Sequence, residues 1–422
     1  MVRGVSESEF DVVVFGATGV TGRQVGAYLA EQGGRWAAAA RDAGKCEQVL
    51  GEIGVSAPET IVADVADPSS LAAMAARTRV VLNLVGPYTL HGRPVIEACV
   101  TNGAHYADLT GETPFVRTVI DDYDGRAREA GVKVVPTCGF EALPADLAVQ
   151  LAVEAARERW DETLSEADLE VTVSGGPGGL PRPSDILSGG TLQSVAAAVG
   201  FEGTASVSDS AALITDPVRA EQVRRRSPLR LRPRRGRCGA VVAAMAPAAF
   251  VNPAVIQRTA ALLAAESDGA EPFAYREGVA LRGGLATLPL RFVGAGVMSG
   301  TQSAISGLAR VPRSMRRRLG RGMSKILPSS GFGPKGERLE SWHWRMSLEA
   351  RTSGGHAVEV VVEADGHPGY LATARMLGEA GLMLAEPGLT PDRAGCLTPA
   401  TALGTAATDR FERARMRFSV AD

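Results

Sequence analysis

The sequence predicts an α/β protein: a doubly wound parallel sheet in the N-terminal part, followed by a second, α+β domain built on a mostly antiparallel sheet. An apolar, strand-like run at residues 10–15 enters a glycine-rich turn, which opens a helical pattern. Strand and helix patterns then alternate, as expected for a parallel sheet with helices on both faces. The alternation stops near residue 147, so we divide the chain into domains at residues 1–147 and 148–422.

The glycine-rich turn has the sequence GATGVTG at residues 16–22 and predicts a dinucleotide site. The first glycine permits the sharp turn, the second removes a side chain where a pyrophosphate approaches, and the third lets the helix lie close to the sheet. The anion would be bound by the N–H groups at the helix N-terminus, where the helix dipole favours negative charge. We expect the contacts to come from Gly16, Thr18, Gly19, Val20, Thr21 and Gly22. The alternative is a tight turn in an unrelated α/β protein, because this spacing differs from the commoner G-x-G-x-x-G.

The end of the second predicted strand, residues 35–40, indicates which dinucleotide binds. NAD-binding domains usually place a carboxylate here for the ribose 2′-hydroxyl. This chain instead has Arg41, with Lys45 following, and a guanidinium can pair with a 2′-phosphate. We therefore predict NADP(H), and the alternative is that Asp42 binds the ribose.

The next two strands supply further cofactor candidates. The strand at residues 60–63 ends at Asp64, which is a candidate for the cofactor or for a local cap, while Asp67 caps the following helix with Pro68 in its first turn. The apolar strand at residues 79–85 is typical of a parallel strand buried on both faces. Its end should lie at the carboxyl edge of the sheet, where ligands bind, so we add Val85, Gly86 and Pro87 to the cofactor contacts.

The remaining N-terminal elements complete the sheet. We predict a helix from about residue 92 to 102, strands at residues 104–108 and 131–135, and a long helix from Pro144. Six strands alternating with helices in about 140 residues give a doubly wound fold.

Composition excludes several other classes of protein. The 422 residues are 45% hydrophobic and 22% charged with a net charge of −2, an ordinary globular balance. The five cysteines are scattered, and neither C-x-x-C nor H-E-x-x-H occurs, so we expect no disulfide framework and no metal site. The polar N-terminus does not have the pattern of a signal peptide, and we expect a cytoplasmic protein.

Several longer strings resemble one family, the saccharopine-dehydrogenase-like oxidoreductases. In the N-terminal half these are NLVGPY (83–88), YAD (106–108), GE (111–112) and CGFEALPAD (138–146). Later strings are similar to its actinobacterial branch of trans-acting enoyl reductases: SGGT (188–191), PAAFVN (247–252), PGY (368–370) and LTPATALG (397–404). The resemblance implies a partner, a polyketide synthase that lacks its own enoyl reductase, and a carrier-bound acyl or polyketide substrate in lipid synthesis. It also implies that a helix at about residues 370–385 returns to the first domain.

The C-terminal half reads as strands at residues 169–173, 238–245, 339–351 and 356–364, with a helix at 188–199. We expect this domain to cover the nicotinamide and shape the substrate site, and we leave open that it forms a homodimer. Two basic runs, residues 224–237 and 310–325, contain eight and seven basic residues and no acid. They are solvated faces, or they dock an acidic carrier domain or anionic lipid; without interleaved aromatics they do not predict nucleic-acid binding.

Residues 292–308 carry no charge and precede the second basic run. The segment is short for a membrane span. A packed helix is the default, and a helix lying on an anionic membrane surface is the alternative.

Reduction of an enoyl thioester needs donors near the thioester oxygen and an acid for the α-carbon. Our catalytic candidates are Tyr88 and Tyr106, with His91 and Glu112 also near strand ends. In the alternative, Tyr88 only packs on the nicotinamide, Tyr106 is core, His91 caps a helix and Glu112 forms an ion pair. We expect Tyr88→Phe to lower turnover at least about tenfold. None of the six tyrosines has a lysine four residues later, which disfavours the short-chain dehydrogenase mechanism.

The sequence therefore favours an NADPH-dependent enoyl reductase acting in trans on a carrier-bound lipid intermediate. The alternatives are an NADP-dependent oxidoreductase on a small, amino-acid-derived substrate and a non-catalytic nucleotide-binding protein at membranes.

Overall fold

The structure, a computed structural model, describes residues 8–176, 208–244, 247–266, 271–308, 311–312, 314–315 and 338–421. In the N-terminal part strands and helices alternate in this order: β1 Phe10–Phe15, α1 Val20–Gln32, β2 Trp36–Ala40, α2 Ala43–Gly51, β3 Thr60–Val62, α3 Pro68–Ala75, β4 Thr78–Asn83, α4 Tyr88–Asn102, β5 His105–Asp108, α5 Thr113–Glu129, β6 Lys133–Val135 and α6 Leu143–Trp160.

The later elements are, in order, β7 Leu164–Gly175, α7 Pro217–Arg226, β8 Arg234–Arg235, β9 Val241–Ala243, α8 Ala248–Ala264, β10 Ala274–Leu281, α9 Leu288–Leu308, β11 Trp342–Thr352, β12 Ala357–Asp365, α10 Thr373–Ala385, β13 Gly395–Cys396, α11 Pro399–Leu403 and β14 Met416–Val420. The described strands form two sheets of seven strands each.

The first sheet is parallel throughout, in the order β13-β6-β5-β4-β1-β2-β3. The doubly wound sheet predicted from the sequence is confirmed, including its six N-terminal strands. The seventh strand, β13, was not predicted, because it has only two residues and comes from the C-terminal part of the chain.

Buried apolar side chains on both faces explain the sequences of the central strands. In β1 the side chains of Val12, Val13 and Val14 are all fully buried, which is why that strand reads as a continuous apolar run. In β2 four consecutive alanines follow Trp36, and all five residues are buried. Packing between helices therefore overrides the poor strand propensity of alanine.

The second sheet has the order β14-β12-β11-β7-β10-β9-β8 and is antiparallel except for the β7–β10 pair. The predicted mostly antiparallel sheet is confirmed. All four predicted strands are present with shifted ends, as β7, β9, β11 and β12, whereas β10 and helix α8 were missed. The helix predicted at residues 188–199 lies outside the described residues.

Helix α10 lies on the first sheet, although it follows the second sheet in the chain. A Cβ atom on Gly381 would be 3.0 Å from the Leu82 side chain of β4, and one on Gly378 would be 2.5 Å from Tyr28 of α1. The absence of side chains at these two glycines lets the helix approach closely. We propose that residues 1–147 form the first domain and that α10 and β13 complete it.

Candidate active site

The turn at residues 16–22 joins β1 to α1 and is built on tight backbone approaches. Gly16 has φ +94°, a left-handed conformation that favours glycine. A Cβ on Gly22 would lie 2.3 Å from the Gly16 carbonyl oxygen, so no larger residue fits there. Gly19, in contrast, has only that carbonyl within 4 Å of its would-be Cβ, at 3.4 Å, and faces open space. The open side lies where a pyrophosphate would be bound.

The N-terminus of α1 has no side-chain cap. Gly19 is the N-cap residue and offers no side-chain acceptor, so the N–H groups of Val20, Thr21 and Gly22 face outward from the first turn. Such uncapped N–H groups, with the helix dipole behind them, form an anion site. This cradle fits the diphosphate of a dinucleotide, with Thr18 in the half-buried turn beside it.

At the end of β2, Arg41 and Asp42 have different surroundings. Asp42 is the N-cap of α2, where its carboxylate accepts the N–H of Lys45 at 2.9 Å. Arg41 is exposed, and its side chain has no hydrogen bond or ion pair with another described residue. Lys45 is exposed on the first turn of α2. A 2′-phosphate would therefore meet two available cations.

Asp64 follows β3 and forms a local turn. Its Oδ1 accepts the N–H of Ala66 at 2.9 Å, and its own N–H is donated to Ser70 Oγ at 3.0 Å. The neighbouring Asp67 caps α3 by accepting the N–H of Ser69 at 3.0 Å, as predicted.

The end of β4 lies directly beside the glycine turn. A Cβ on Gly16 would be 3.0 Å from Val85 Cγ2, and the N–H of Leu84 is donated to Phe15 O at 2.8 Å. Gly86 is exposed and Pro87 is half-buried, at the carboxyl edge of the sheet. These residues share the edge with the anion cradle.

Tyr88 is buried, and among the described residues its hydroxyl bonds only to backbone atoms. That hydroxyl donates to Asn83 O at 3.1 Å and accepts the Leu109 N–H at 3.4 Å. Burial, and then the Asp108 carboxyl, raise the pKa of Tyr88 well above its ordinary value. The Tyr88 hydroxyl thus links the C-terminal ends of β4 and β5 by hydrogen bonds.

Tyr106 is fully buried in β5 and bonds to the neighbouring carboxyl. Its hydroxyl donates to Asp108 Oδ2 at 2.7 Å and accepts from the Asn83 amide at 3.1 Å. Asp108 also accepts the N–H groups of Thr110 and Thr137. Burial raises the pKa of Asp108 to about 7 in spite of these donors.

Glu112 explains why α4 begins at Tyr88, earlier than the predicted start near Gly92. Its buried carboxylate accepts the N–H groups of Tyr88 and Thr89 at 3.0 and 2.8 Å and the Thr89 hydroxyl. The cap is supplied from a loop more than 20 residues away in the sequence, so no local signal marks it. His91 is half-buried in the first turns of the same helix.

Sequence reasoning missed a second set of polar residues, which we call the Glu277 cluster: Glu277 and Tyr275 on β10, and Asn252 on α8. Glu277 Oε2 accepts the Tyr275 hydroxyl at 2.6 Å and the Asn252 amide at 2.8 Å. The only signal was the alternation of Tyr275, Glu277 and Val279, which is too short to identify a strand by itself.

Residues from the C-terminal half of the chain also reach the glycine turn. Leu339, Tyr370 and Leu371 form a buried cluster with Val20, the first residue of α1. The PGY string at residues 368–370 therefore packs against the start of the cofactor helix. The dinucleotide cradle is shaped by both halves of the chain.

Four of the eight arginines in the first basic run form ion pairs with described carboxylates. Arg224 pairs with Asp209, Arg225 with Glu221, Arg234 with Asp168, and Arg237 with Glu170. Most of the second run lies outside the described residues. In the described part of the chain, no group of three or more metal-binding side chains is found, and none of the helices has the length and apolar character needed to span a membrane.

The family model for the saccharopine dehydrogenase NADP-binding domain matches residues 12–135, which run from within β1 to the end of β6. Together with the uncapped α1 and the tight glycine turn, this match defines an NADP-dependent oxidoreductase of Rossmann type. The cofactor is NADP(H), as predicted.

Similarity to known proteins extends over nearly the whole chain. A Mycobacterium tuberculosis protein provisionally named a trans-acting enoyl reductase is 36% identical over 423 residues, covering 96% of each chain. The trans-acting enoyl reductase of Mycobacterium ulcerans is 32% identical, again with 96% of each chain covered. The chain belongs to the saccharopine-dehydrogenase-like oxidoreductases, in the branch of these enoyl reductases.

Among solved structures, apo saccharopine dehydrogenase (L-Glu forming) from Saccharomyces cerevisiae has the same fold. It matches 98% of this chain and 100% of its own with a TM-score of 0.52, at 12% sequence identity.

Proposed function

We propose that the protein is an NADPH-dependent enoyl reductase that acts in trans on a carrier-bound acyl or polyketide intermediate. The observation that carries the proposal is the similarity to trans-acting enoyl reductases over 96% of the chain, joined to a well-formed dinucleotide cradle. A bound reduced nicotinamide supplies hydride for the carbon–carbon double bond.

The chain's own residues bind and orient the cofactor. The N–H groups at the start of α1 hold the diphosphate, Arg41 and Lys45 hold the 2′-phosphate, and Val85 to Pro87 border the cofactor just beyond the end of β4. We propose that Asp64 lies by the adenosine end. Because the Tyr88 and Tyr106 hydroxyls are buried and engaged, we propose that these two tyrosines are positioning residues that fix the ends of β4 and β5.

Turnover of an enoyl thioester tests this function. We expect oxidation of NADPH by a 2-enoyl thioester of pantetheine or of an acyl carrier domain, with a product that has gained two hydrogens. The matched saturated thioester should give no oxidation. The proposal would be contradicted if the protein binds NADPH but reduces neither the pantetheine-linked nor the carrier-linked enoyl thioester.

A second candidate is a reduction of a small, amino-acid-derived substrate. It is favoured by the carboxyl groups of Glu277 and Glu141 near the carboxyl edge of the first sheet, which would suit an ammonium group. NADPH oxidation with an amino acid and a 2-oxo acid, and none with enoyl thioesters, would select it.

We further propose peripheral binding of α9 to an anionic membrane surface at the inner face of the cell membrane. Leu290, Val293 and Val297 recur on one helix face and are 72%, 63% and 64% exposed. The seven basic residues at 310–325 follow directly and would complement acidic headgroups.

Co-sedimentation with vesicles tests this surface. We expect binding to vesicles containing phosphatidylglycerol at low salt, loss of binding in Val293→Glu, and normal binding in Val218→Glu, which alters an equally exposed valine on α7. Equal binding by both variants would show that α9 is not the surface.

A further inference from the structure

Two atoms of the Glu277 cluster have no hydrogen-bond partner among the described residues. Glu277 Oε2 is bonded twice, but Oε1 accepts no hydrogen bond from a described residue. Asn252 donates its amide N–H to Glu277, yet its Oδ1 is buried without a partner, in a side chain that is 1% exposed. A buried amide oxygen left unpaired costs about 1–3 kcal/mol, so such an atom usually awaits a ligand or water.

The cluster lies at the carboxyl edge of the first sheet. Val251, the neighbour of Asn252 on α8, would be 3.8 Å from a Cβ on Gly111, in the loop after β5. Glu141, in the loop after β6, is close enough for its charge to act on Glu277. Loops at this edge of a doubly wound sheet surround the reactive end of the dinucleotide.

Side chains on the two faces of β10 make different contacts. Arg276 lies on the outer face, where it pairs with Asp168 of β7 at 2.8 Å. Tyr275 and Glu277 alternate with it and lie on the opposite face, toward α8. The Glu277 carboxyl group is therefore held on the side of the sheet that faces the first domain.

We propose that Glu277 is the catalytic acid that delivers a proton to the α-carbon of the substrate, held in place by Tyr275 and Asn252. This inference rests on the proposed enoyl reductase function. Hydride adds to the β-carbon, the π electrons of the double bond move to the α-carbon and thioester oxygen, and the Oε1–H bond of Glu277 breaks as the α-carbon–hydrogen bond forms. The nicotinamide is oxidised, the alkene is reduced, and the Glu277 carboxylate regains its proton from solvent.

The electrostatics of the cluster suit an acid near neutral pH. Burial raises the pKa of Glu277 to about 6, the Tyr275 and Asn252 hydrogen bonds oppose that rise, and the Glu141 charge adds to it. Burial, then the Glu277 carboxyl group, and then the charges of Asp168 and Asp146 hold the pKa of Tyr275 far above the working range. Glu277 is thus the group of the cluster that titrates in that range.

The experiment compares pH profiles of turnover with the carrier-linked enoyl thioester. Because the acid must be protonated, wild-type kcat should fall about tenfold per pH unit above pH 6. Glu277→Gln should lower kcat at least about 100-fold and abolish this falling limb, with NADPH affinity by fluorescence within about twofold of wild type. The matched control is Glu363→Gln, which alters an exposed glutamate of β12 that pairs with Arg345 of β11, and it should behave like wild type.

Tyr275→Phe provides an independent test. Loss of the hydroxyl that bonds to Glu277 should raise the pKa of the acid and move the falling limb to higher pH. If Glu277→Gln does not bind NADPH, because it fails to fold, this shift decides the question.

The outcomes separate the two proposals. Suppose the wild-type protein reduces the enoyl thioester, but the falling limb of the pH profile is unchanged in Glu277→Gln or does not shift in Tyr275→Phe. Either result overturns the role of Glu277 and leaves the reductase function in place. Wild-type protein that binds NADPH but reduces no enoyl thioester overturns the reductase function, and the role of Glu277 with it.

Discussion

The neighbouring residues Arg41 and Asp42 differ because only Asp42 serves as the N-cap of α2. The Asp42 carboxylate already accepts the Lys45 N–H at the start of α2, whereas Arg41 is exposed and unengaged within the described part of the chain. The cap orients the carboxylate toward the helix and leaves the guanidinium for a ligand. We therefore propose that Arg41 selects the 2′-phosphate.

Replacement of Arg41 tests that role. Arg41→Ala should weaken NADPH binding by about 10- to 100-fold, the loss expected for charge-assisted hydrogen bonds worth about 1.5–3 kcal/mol. NADH binding should change little, because NADH has no 2′-phosphate. Titration calorimetry with both cofactors gives the ratio, and Arg282→Ala, at an exposed arginine beyond β10, is the control. Parallel losses for both cofactors would exclude Arg41 as the selecting residue.

At the scale of single residues, the sequence predicted the glycine turn and the helix that follows it and missed the Glu277 cluster. Gly22 is required by its approach to the Gly16 carbonyl oxygen, and Gly16 by its own left-handed φ of +94°, so this pattern is visible within seven residues. Glu277 and Asn252 meet only because β10 and α8 pack together, 25 residues apart in sequence. Likewise, the burial of the Tyr88 hydroxyl depends on a contact with the Leu109 backbone, which no local pattern reports.

At the scale of elements, a buried carboxylate of α10 bonds to helix α1. Glu379 is fully buried, and it accepts the Tyr28 hydroxyl of α1 and the Arg410 guanidinium, the latter at 3.0 Å. The carboxylate therefore joins α10 to α1 and to the turn before β14.

Removal of the Glu379 carboxylate should lower the free energy of unfolding substantially. Glu379→Ala leaves Arg410 without its buried partner and Tyr28 without an acceptor, and we expect a loss of about 3–5 kcal/mol in unfolding free energy. Glu386→Ala removes the exposed partner of the same arginine and should cost less than about 1 kcal/mol. Urea unfolding followed by circular dichroism measures both, and similar losses would show that burial is not the deciding factor.

Element ends were predicted where their signals are local. Asp67 and Pro68 correctly marked the start of α3 because the cap lies within two residues. The start of α4 was placed too late, because Glu112 acts from another loop. Strand β13 could not be predicted, since two residues carry no periodicity and only pairing with β6 defines them.

At the scale of the whole molecule, Asp146 connects parts that are far apart in the chain. Its carboxyl group accepts the Thr259 hydroxyl of α8 at 2.6 Å and the Ala400 N–H of α11 at 2.8 Å. Burial raises the pKa of Asp146 to about 7. In the folded protein Asp146 therefore keeps its proton up to about pH 7. In the unfolded chain, where the aspartate pKa is near 3.8, it loses the proton at lower pH.

Stability should therefore decrease as the pH rises. The contribution of Asp146 is fully present below about pH 4, falls by at most about 1.4 kcal/mol per pH unit between the two pKa values, and is constant above about pH 7. Asp146→Asn removes this titration, so its melting temperature should decline less steeply between pH 5 and 7. Calorimetry at several pH values checks the slope, with the surface variant Asp122→Asn as the control. Parallel slopes for all three proteins would contradict the assignment.

The placement of α10 and β13 on the first sheet has a consequence for biosynthesis. The ribosome has added nearly 400 residues before Gly395 and Cys396 are available to pair with β6, and the apolar surface around Leu82 and Tyr28 waits for α10 until residue 385. The part of the first sheet that α10 and β13 cover is therefore exposed for most of translation, and we expect chaperones to bind the nascent chain there.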